Sequence, residues 1–97
     1  MIECLILGCR SAQRYVVKRT LLAVLDELRH ELPGLQAQIV EINDYSEIER
    51  YTSILIFPSL VINKRLVCRG RFPSKAEVKR WLRAAALLEK ETLIVSG

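Results

Sequence analysis

The chain has 97 residues, of which 51% are hydrophobic and 27% charged, with a net charge of +4. This apolar fraction and small net charge exclude a disordered chain, and no apolar run approaches the roughly 18 to 20 residues that a membrane helix requires. The length is typical of one domain. We therefore expect residues 1–97 to form a single domain, with its core over about residues 1–88 and a tail over residues 89–97.

The three cysteines are Cys4, Cys9 and Cys68, an odd number that cannot form a complete set of disulfides. The N-terminus does not resemble a signal peptide, since Glu3 stands where a basic residue is expected. We therefore expect reduced thiols and a cytoplasmic location. The cysteines also lack the paired spacing of zinc or iron–sulfur ligands, so no metal site is predicted.

The first part of the chain predicts a strand, a helix and a second strand. Residues 2–7 are a short apolar run closed by a glycine, as in a buried strand. A helical pattern begins at Ser11, with apolar residues recurring every three or four positions until Pro33 and Gly34 stop it. Residues 35–42 then alternate between two faces and favour a strand.

The middle of the chain predicts a short helix followed by a hairpin. Asn43 and Asp44 can cap a helix over about residues 45–51. Asn63 and Lys64 have the spacing of a two-residue hairpin turn, and Asn63 tolerates the positive φ that such a turn needs. The strand segments expected around this turn are residues 54–57, 60–62 and 66–69.

The last helix is predicted to begin at a capping box formed by Ser74 and Glu77. Its apolar face is expected to comprise Val78, Trp81, Leu82 and Ala85. Residues 92–97 are prone to β structure and are either a frayed end or an added edge strand. The predicted order is therefore strand, helix, strand, helix, strand, strand, helix.

This order predicts a mixed four-stranded sheet. A strand-helix-strand opening requires a parallel pair joined by a right-handed crossover, whereas a two-residue turn requires the last two strands to be antiparallel. Around that turn, Ile62 should pair with Arg65 and Ser59 with Cys68. The predicted fold class is α/β, a three-layer α/β/α arrangement of the thioredoxin-like type in the order β-α-β-α-β-β-α.

Positive charge is concentrated in the second half of the chain, where residues 51–97 carry nine Lys or Arg and three Asp or Glu. Within the basic stripe at residues 64–83, only Glu77 opposes the cations. Such a stripe can contact nucleic-acid phosphates, but it lacks interleaved aromatic residues and matches no nucleic-acid-binding motif, so a solvated surface is the favoured interpretation. The cations of the stripe are Lys64, Arg65, Arg69, Arg71, Lys75, Lys79, Arg80 and Arg83.

Three segments and one dipeptide carry a family resemblance. They are residues 57–64, 70–74 and 77–82, together with Gly-Cys at residues 8–9. In their order they resemble small thioredoxin-like proteins of the redox-active disulfide type, which have a Gly-Cys-x-x-Cys motif at the first strand-to-helix junction. Ala12 stands in the position of the second cysteine, so the chain resembles a family member that lacks one thiol.

The resemblance implies a site formed by a cysteine and a proline loop. In that family the proline matching Pro58 is cis and faces the reactive cysteine, and the residue before it offers backbone hydrogen bonds to an extended substrate. Cys9 is thus implied as the catalytic nucleophile, with Phe57, Pro58 and the neighbouring Arg10 as substrate contacts. Phe57 departs from the threonine that is common before this proline.

The position of Cys9 supports a reactive thiol, because unpaired N–H groups and the positive end of a helix favour the thiolate, and Arg10 and Arg14 can add positive charge. Since Ala12 carries no sulfur, ordinary dithiol turnover through a Cys-x-x-Cys pair is excluded. What remains is monothiol exchange with a protein disulfide, resolved by glutathione or another small thiol with no other cofactor, or a long-lived covalent adduct. The alternative is a redox-inactive module that binds a partner protein at Cys9 and Pro58 or at the basic edge, and the sequence leaves open whether the chain is an enzyme.

Overall fold

The computed structural model describes residues 1–52 and 56–96. Three helices and four strands follow one another in the predicted order. They are β1 (Ile2–Leu7), α1 (Ser11–Glu31), β2 (Ala37–Ile42), α2 (Tyr45–Ile48), β3 (Ser59–Ile62), β4 (Arg65–Arg69) and α3 (Lys75–Ser96). None of the helices in the described ranges combines the length and the apolar content needed to cross a bilayer.

The four strands form one mixed sheet with the spatial order β2-β1-β3-β4. β1 and β2 are parallel, whereas β3 is antiparallel to both of its neighbours. β1 therefore lies in the interior of the sheet, which agrees with its nearly continuous apolar sequence. The predicted mixed sheet is confirmed, and its central strand leads directly into the candidate site.

Apolar side chains cover both faces of the sheet, because successive residues of a strand point to opposite sides. On β1, Ile2, Cys4 and Ile6 belong to a core cluster shared with α1 and α3. Leu5 and Leu7 belong to a second cluster on the other face, which α2 covers through Ile48. The helices therefore lie on both faces, as the three-layer prediction requires.

The hairpin between β3 and β4 turns where predicted, and both turn residues have positive φ, 48° at Asn63 and 67° at Lys64. Ile62 pairs with Arg65 as expected. The predicted pairing of Ser59 with Cys68 is wrong, because a bulge shifts the register between Leu60 and Val61, and Cys68 lies opposite Leu60.

Several other elements differ from their predicted bounds: β2 begins at Ala37 rather than at residue 35, and β3 and β4 each begin one residue earlier than predicted. α2 ends at Ile48 rather than at residue 51, although the Tyr51 N–H still donates to the Ile48 carbonyl. Of the segment predicted at residues 54–57, Ile54 and Leu55 lie outside the described residues. Its last two residues precede β3 without belonging to a strand.

α3 extends beyond the predicted helix to Ser96, so the alternative of an edge strand is wrong for residues 92–96, and Gly97 lies outside the described residues. Leu, Ile and Val cost less than about 0.7 kcal/mol each relative to Ala in a helix, so an established helix can continue through them. The predicted apolar face is buried or half-buried in the core through Val78, Trp81, Leu82 and Ala85.

The predicted capping box at the start of α3 is confirmed by two reciprocal hydrogen bonds. The Glu77 N–H donates to the Ser74 Oγ at 3.1 Å, and the Ser74 N–H donates to the Glu77 carboxylate at 3.0 Å. Arg71 adds a two-pronged ion pair to the same carboxylate. The Arg71 hydrogen bonds, followed by that of the Ser74 backbone, lower the pKa of Glu77 from 4.5 to about 2.

We expect the Glu77→Gln variant to be less stable than the wild type at neutral pH, with a difference that shrinks in acid. A carboxylate whose pKa is lowered by folding stabilises the fold above its unfolded pKa and loses that effect as the pH falls toward its folded pKa. The difference should therefore diminish between pH 4.5 and about 2. Urea unfolding of both proteins across this pH range measures the difference in stability, and a constant difference would contradict the assignment.

The Ser74→Ala variant removes the cap without removing a titrating group, and we expect it to lower the free energy of unfolding by about 1 kcal/mol.

Candidate functional site

The candidate site lies where β1 leaves the sheet and α1 begins. Cys9 is exposed and immediately precedes Arg10, which is the N-cap residue of α1 and provides no side-chain capping bond. The first turn of α1 contains no acidic residue, so the positive end of this helix is not offset by a carboxylate there. Ala12 is exposed in the same turn, in the position that the family resemblance assigns to a second cysteine.

The proline loop before β3 lies against this junction. A methyl group placed on Gly8 would lie 3.8 Å from the Phe57 Cβ and 3.9 Å from the Pro58 Cα, so the two backbones are in close contact. The peptide bond between Phe57 and Pro58 is cis. The Gly70 N–H donates to the Pro58 carbonyl at 2.8 Å and ties the loop to the end of β4. The structure therefore brings Phe57 and Pro58 to the segment that carries Cys9.

The backbone of Phe57 faces no protein partner within the described ranges, where no hydrogen bond engages its N–H or carbonyl. Its side chain is half-buried and contacts the ring of Tyr45, with the ring centroids 5.9 Å apart. Ile56 and Phe72 add exposed apolar side chains, each 49% exposed. Phe57 thus offers backbone groups that no other described residue engages, among apolar side chains.

Tyr45 is a site residue that the sequence interpretation missed. Its ring contacts Phe57 in the proline loop, and the interaction of its hydroxyl with Cys9 raises the pKa of Tyr45. The available signal was the parallel pairing of β1 with β2, because residues that follow two parallel neighbours emerge at the same edge of the sheet.

Arg14 holds the end of β1 in place. Its guanidinium donates to the Gly8 carbonyl at 2.8 Å and to the Glu41 carboxylate at 3.1 Å, and its side chain is only 12% exposed. The Arg14 hydrogen bond is the main cause that lowers the pKa of Glu41, with a further contribution from Lys18. The Glu41 carboxylate partly neutralises the Arg14 charge. Arg14 therefore mainly holds the Gly8 backbone in place, rather than acting as an unpaired cation beside Cys9.

The other two thiols are buried. Burial, with a smaller effect of the Glu3 charge, raises the pKa of Cys4 to about 11. Burial also raises the pKa of Cys68, whose thiol donates to the Arg71 carbonyl at 3.5 Å. All three cysteines are free thiols, and Cys9 is the exposed one. Among the described residues, no group of three His, Cys, Asp or Glu side chains could hold a metal ion.

We expect iodoacetamide to modify one thiol of the native protein at neutral pH, and all three thiols in denaturant. The thiolate is the nucleophile, and both buried cysteines are held as thiols away from solvent. Counting the added groups by mass spectrometry tests this, with the Cys9→Ser variant as the control that should remain unmodified when folded. Modification of Cys4 or Cys68 in the native protein on the same timescale would contradict the assignment.

The basic stripe is partly neutralised by residues distant in sequence. Glu27 and Glu31 on α1 face α3, and the closest contact joins Arg83 to Glu31 at 2.7 Å. Glu77 provides the acidic partner near the start of α3. Four of the eight cations of the stripe form these ion pairs, namely Arg71, Lys75, Lys79 and Arg83. The stripe is therefore in part a set of contacts between α1, α3 and the preceding loop.

The sheet order, the helices on both faces and the proline loop beside the first strand-to-helix junction define a thioredoxin-like fold. A family model described as a Thioredoxin domain matches residues 2–83. The chain therefore belongs to this thioredoxin family, as the resemblance of its motifs predicted. No curated protein matches the chain.

Proposed function

We propose that the protein carries out thiol–disulfide exchange through Cys9 alone, as a monothiol oxidoreductase of a reducing, cytoplasmic compartment. The observation that carries the proposal is the position of this exposed thiol beside the proline loop. Cys4 and Cys68 are buried with raised pKa values, so Cys9 is the thiol that a substrate can reach.

The proposed cycle begins when the Cys9 thiolate attacks a protein disulfide. A mixed disulfide forms, and one substrate sulfur leaves as a thiolate. A first glutathione thiolate attacks the Cys9 sulfur and releases the second substrate thiolate. A second glutathione thiolate then attacks the glutathione sulfur bound to Cys9, which yields glutathione disulfide and regenerates the Cys9 thiolate. Two glutathione molecules are oxidised and one substrate disulfide is reduced, so the electrons balance.

An extended protein segment is the substrate that the loop supports best. The backbone of Phe57, which has no hydrogen-bond partner among the described residues, can bond to an extended chain, as an additional strand bonds to a sheet edge. Apolar substrate side chains can contact Ile56 and Phe72 on either side of Pro58. Arg10 is exposed next to Cys9 and can pair with an acidic group of the substrate.

The Ala12→Cys variant tests this proposal by restoring the second thiol. We expect the wild-type mixed disulfide with a model peptide to persist without added thiol, because residue 12 carries no sulfur. In Ala12→Cys, the new thiolate should displace the peptide and form a disulfide with Cys9. Acid quenching and intact-mass analysis measure both lifetimes, with Ala12→Ser as the matched control. The proposal fails if Ala12→Cys and Ala12→Ser release the peptide equally slowly.

The second candidate function is a redox-inactive module that binds a partner protein through the same groove. The replacement of the second cysteine by Ala12 favours it, as do the exposed apolar side chains of Tyr45, Ile56 and Phe72. Disulfide exchange requires the Cys9 sulfur, whereas binding of a partner protein does not. A partner that binds Cys9→Ser as tightly as wild type, with no mixed disulfide in the wild type, would favour the binding module.

Nucleic-acid binding through the basic stripe at residues 64–83 is the weakest alternative. Pairing with Glu27, Glu31 and Glu77 reduces the positive field that phosphates would meet. Binding through phosphate contacts would also have to weaken steeply with added salt.

A further inference from the structure

We propose that the outer edge of β4 is an interaction surface, which binds an acidic, extended segment of a partner protein as an additional strand of the sheet. The surface, here named the β4 edge, consists of β4, the turn residue Lys64 and the side of α3 that faces β4. It includes neither Cys9 nor the proline loop, so it goes beyond the proposed disulfide exchange.

The backbone of β4 has hydrogen-bonding groups that the described sheet does not use. β4 is the last strand in the order β2-β1-β3-β4, so β3 is the described strand that pairs with it. Ile62 and Arg65 flank the two-residue turn as a hydrogen-bonded pair, so the next residue, Leu66, directs its N–H and carbonyl away from β3. Outside that ladder, no hydrogen bond to a described residue engages either group. An extended chain is the ligand that binds such outward donors and acceptors.

Beside these backbone groups, β4 and α3 form a groove of about 290 Å³. Its walls include Val67 and Trp81, which are half-buried, and Ala84, which is exposed. Leu88 also lines the groove and is 52% exposed. Successive side chains of an added strand alternate between the two faces of the sheet, so every second one lies over this groove. Apolar residues at alternate positions of the partner segment are therefore buried there.

The cations around the β4 edge are the members of the basic stripe that have no acidic partner. The paired members contact Glu27, Glu31 or Glu77. The other four are exposed and form no ion pair within residues 1–52 and 56–89, whose side chains the structure describes. They are Lys64, Arg65, Arg69 and Arg80.

These four cations surround the groove and determine the charge of its ligand. Lys64 and Arg65 lie at one end of β4, and Arg69 lies at the other. Arg80 lies one helical turn before Ala84, on the side of α3 that lines the groove. Like charges at both ends of β4 oppose pairing with a second copy of this chain, whereas carboxylates complement them. The ligand is therefore an acidic strand with apolar residues at alternate positions.

The charge requirement is tested with a fluorescein-labelled peptide of alternating glutamate and valine, whose binding is followed by fluorescence anisotropy. We expect the double variant Arg65→Gln with Arg69→Gln to bind about three- to thirtyfold more weakly than the wild type, as for the loss of two surface ion pairs. The double variant Lys75→Gln with Arg83→Gln is the matched control, because it removes the same charge from cations that already have acidic partners. The control should bind as the wild type does. No binding to the wild type, or equal weakening in both double variants, would overturn the inference.

A second peptide tests the addition of a strand. N-methylation of every residue keeps the side chains and the charge but removes the backbone donors, and we expect binding to weaken about tenfold or more. Hydrogen exchange followed by nuclear magnetic resonance should show that the unmethylated peptide protects the Leu66 amide. Equal binding of the two peptides, or an unprotected Leu66 amide in the complex, would mean that charge alone attracts the peptide, and the inference would be wrong.

Single-stranded DNA distinguishes an acidic strand from a phosphate ligand. We expect oligothymidine to bind more weakly than the unmethylated peptide at physiological salt, because its backbone cannot continue the ladder of β4. Tighter binding of oligothymidine would replace the inference with a phosphate-binding surface. The Cys9→Ser variant should bind the peptide as the wild type does, so a failure of disulfide exchange and a failure of this inference are separately observable.

Discussion

Cys9→Ser is expected to abolish disulfide exchange completely, leaving only the rate measured without protein. A serine hydroxyl is not ionised at neutral pH and forms no mixed disulfide. Neither of the other thiols can replace it, because Cys4 is fully buried with a pKa of about 11 and Cys68 is buried on β4 with a raised pKa. The rate at which glutathione reduces a fluorescent peptide disulfide, with and without the protein, measures this effect.

Cys68→Ser is the matched control for that experiment. Its hydroxyl can keep the hydrogen bond that the Cys68 thiol donates to the Arg71 carbonyl, so the fold should be retained. We expect exchange at the wild-type rate. Persistent exchange in Cys9→Ser, or its loss in a folded Cys68→Ser protein, would contradict the assignment of the nucleophile.

Gly70→Ala is expected to lower the free energy of unfolding by about 2–4 kcal/mol, from the cost of a left-handed backbone and of overpacking. Gly70 has a φ of 72°, and an added methyl group would collide with the side chain of Ile56. The Gly70 N–H also donates to the Pro58 carbonyl, so the strain acts on the loop beside Cys9. Urea denaturation measures the loss, and exchange should slow in the folded variant.

Gly34→Ala provides the matched control, since it makes the same chemical change in the loop after α1. Apart from Gly34 itself and its two chain neighbours, no described residue has an atom within 4 Å of a methyl group placed there. We expect a change within about 0.5 kcal/mol, as for an ordinary surface substitution. If both variants unfold at the same urea concentration, the packing assigned to Gly70 is incorrect.

Elements specified by neighbouring residues could be predicted from the sequence. The turn at Asn63 and Lys64 and the capping box of Ser74 and Glu77 depend on groups within a few residues, and both are present. The chain order of strands and helices then restricts the topology. A parallel pair of strands needs a crossover connection, whereas two strands joined by a two-residue turn must be antiparallel. The mixed sheet and the position of Cys9 follow from these local signals.

Features that depend on packing between distant segments could not be predicted in this way. The bulge between Leu60 and Val61 moved Cys68 by one pairing position, and no turn signal marks such an insertion. The extension of α3 to Ser96 shows a helix continuing through residues of higher β propensity.

The candidate site likewise combines residues predicted from local motifs with a residue brought in by packing between distant segments. Cys9 and Pro58 are predicted from their motifs, whereas Tyr45 has no motif and comes to lie against Phe57 through the register of β1 with β2. Likewise, Glu27 and Glu31 oppose the basic stripe only because α1 packs against α3. Interactions of this kind depend on how the helices and strands pack together, so no local sequence pattern indicates them.

The most direct test of a monothiol Cys9 is the fate of its mixed disulfide in the wild-type protein. A peptide disulfide is added to the reduced protein, small thiols are removed, and intact mass is followed before and after glutathione is supplied. We expect one peptide adduct on Cys9, stable until glutathione releases it as peptide thiol and glutathione disulfide. Failure to form the adduct, or its release without added thiol, would contradict the proposed monothiol cycle.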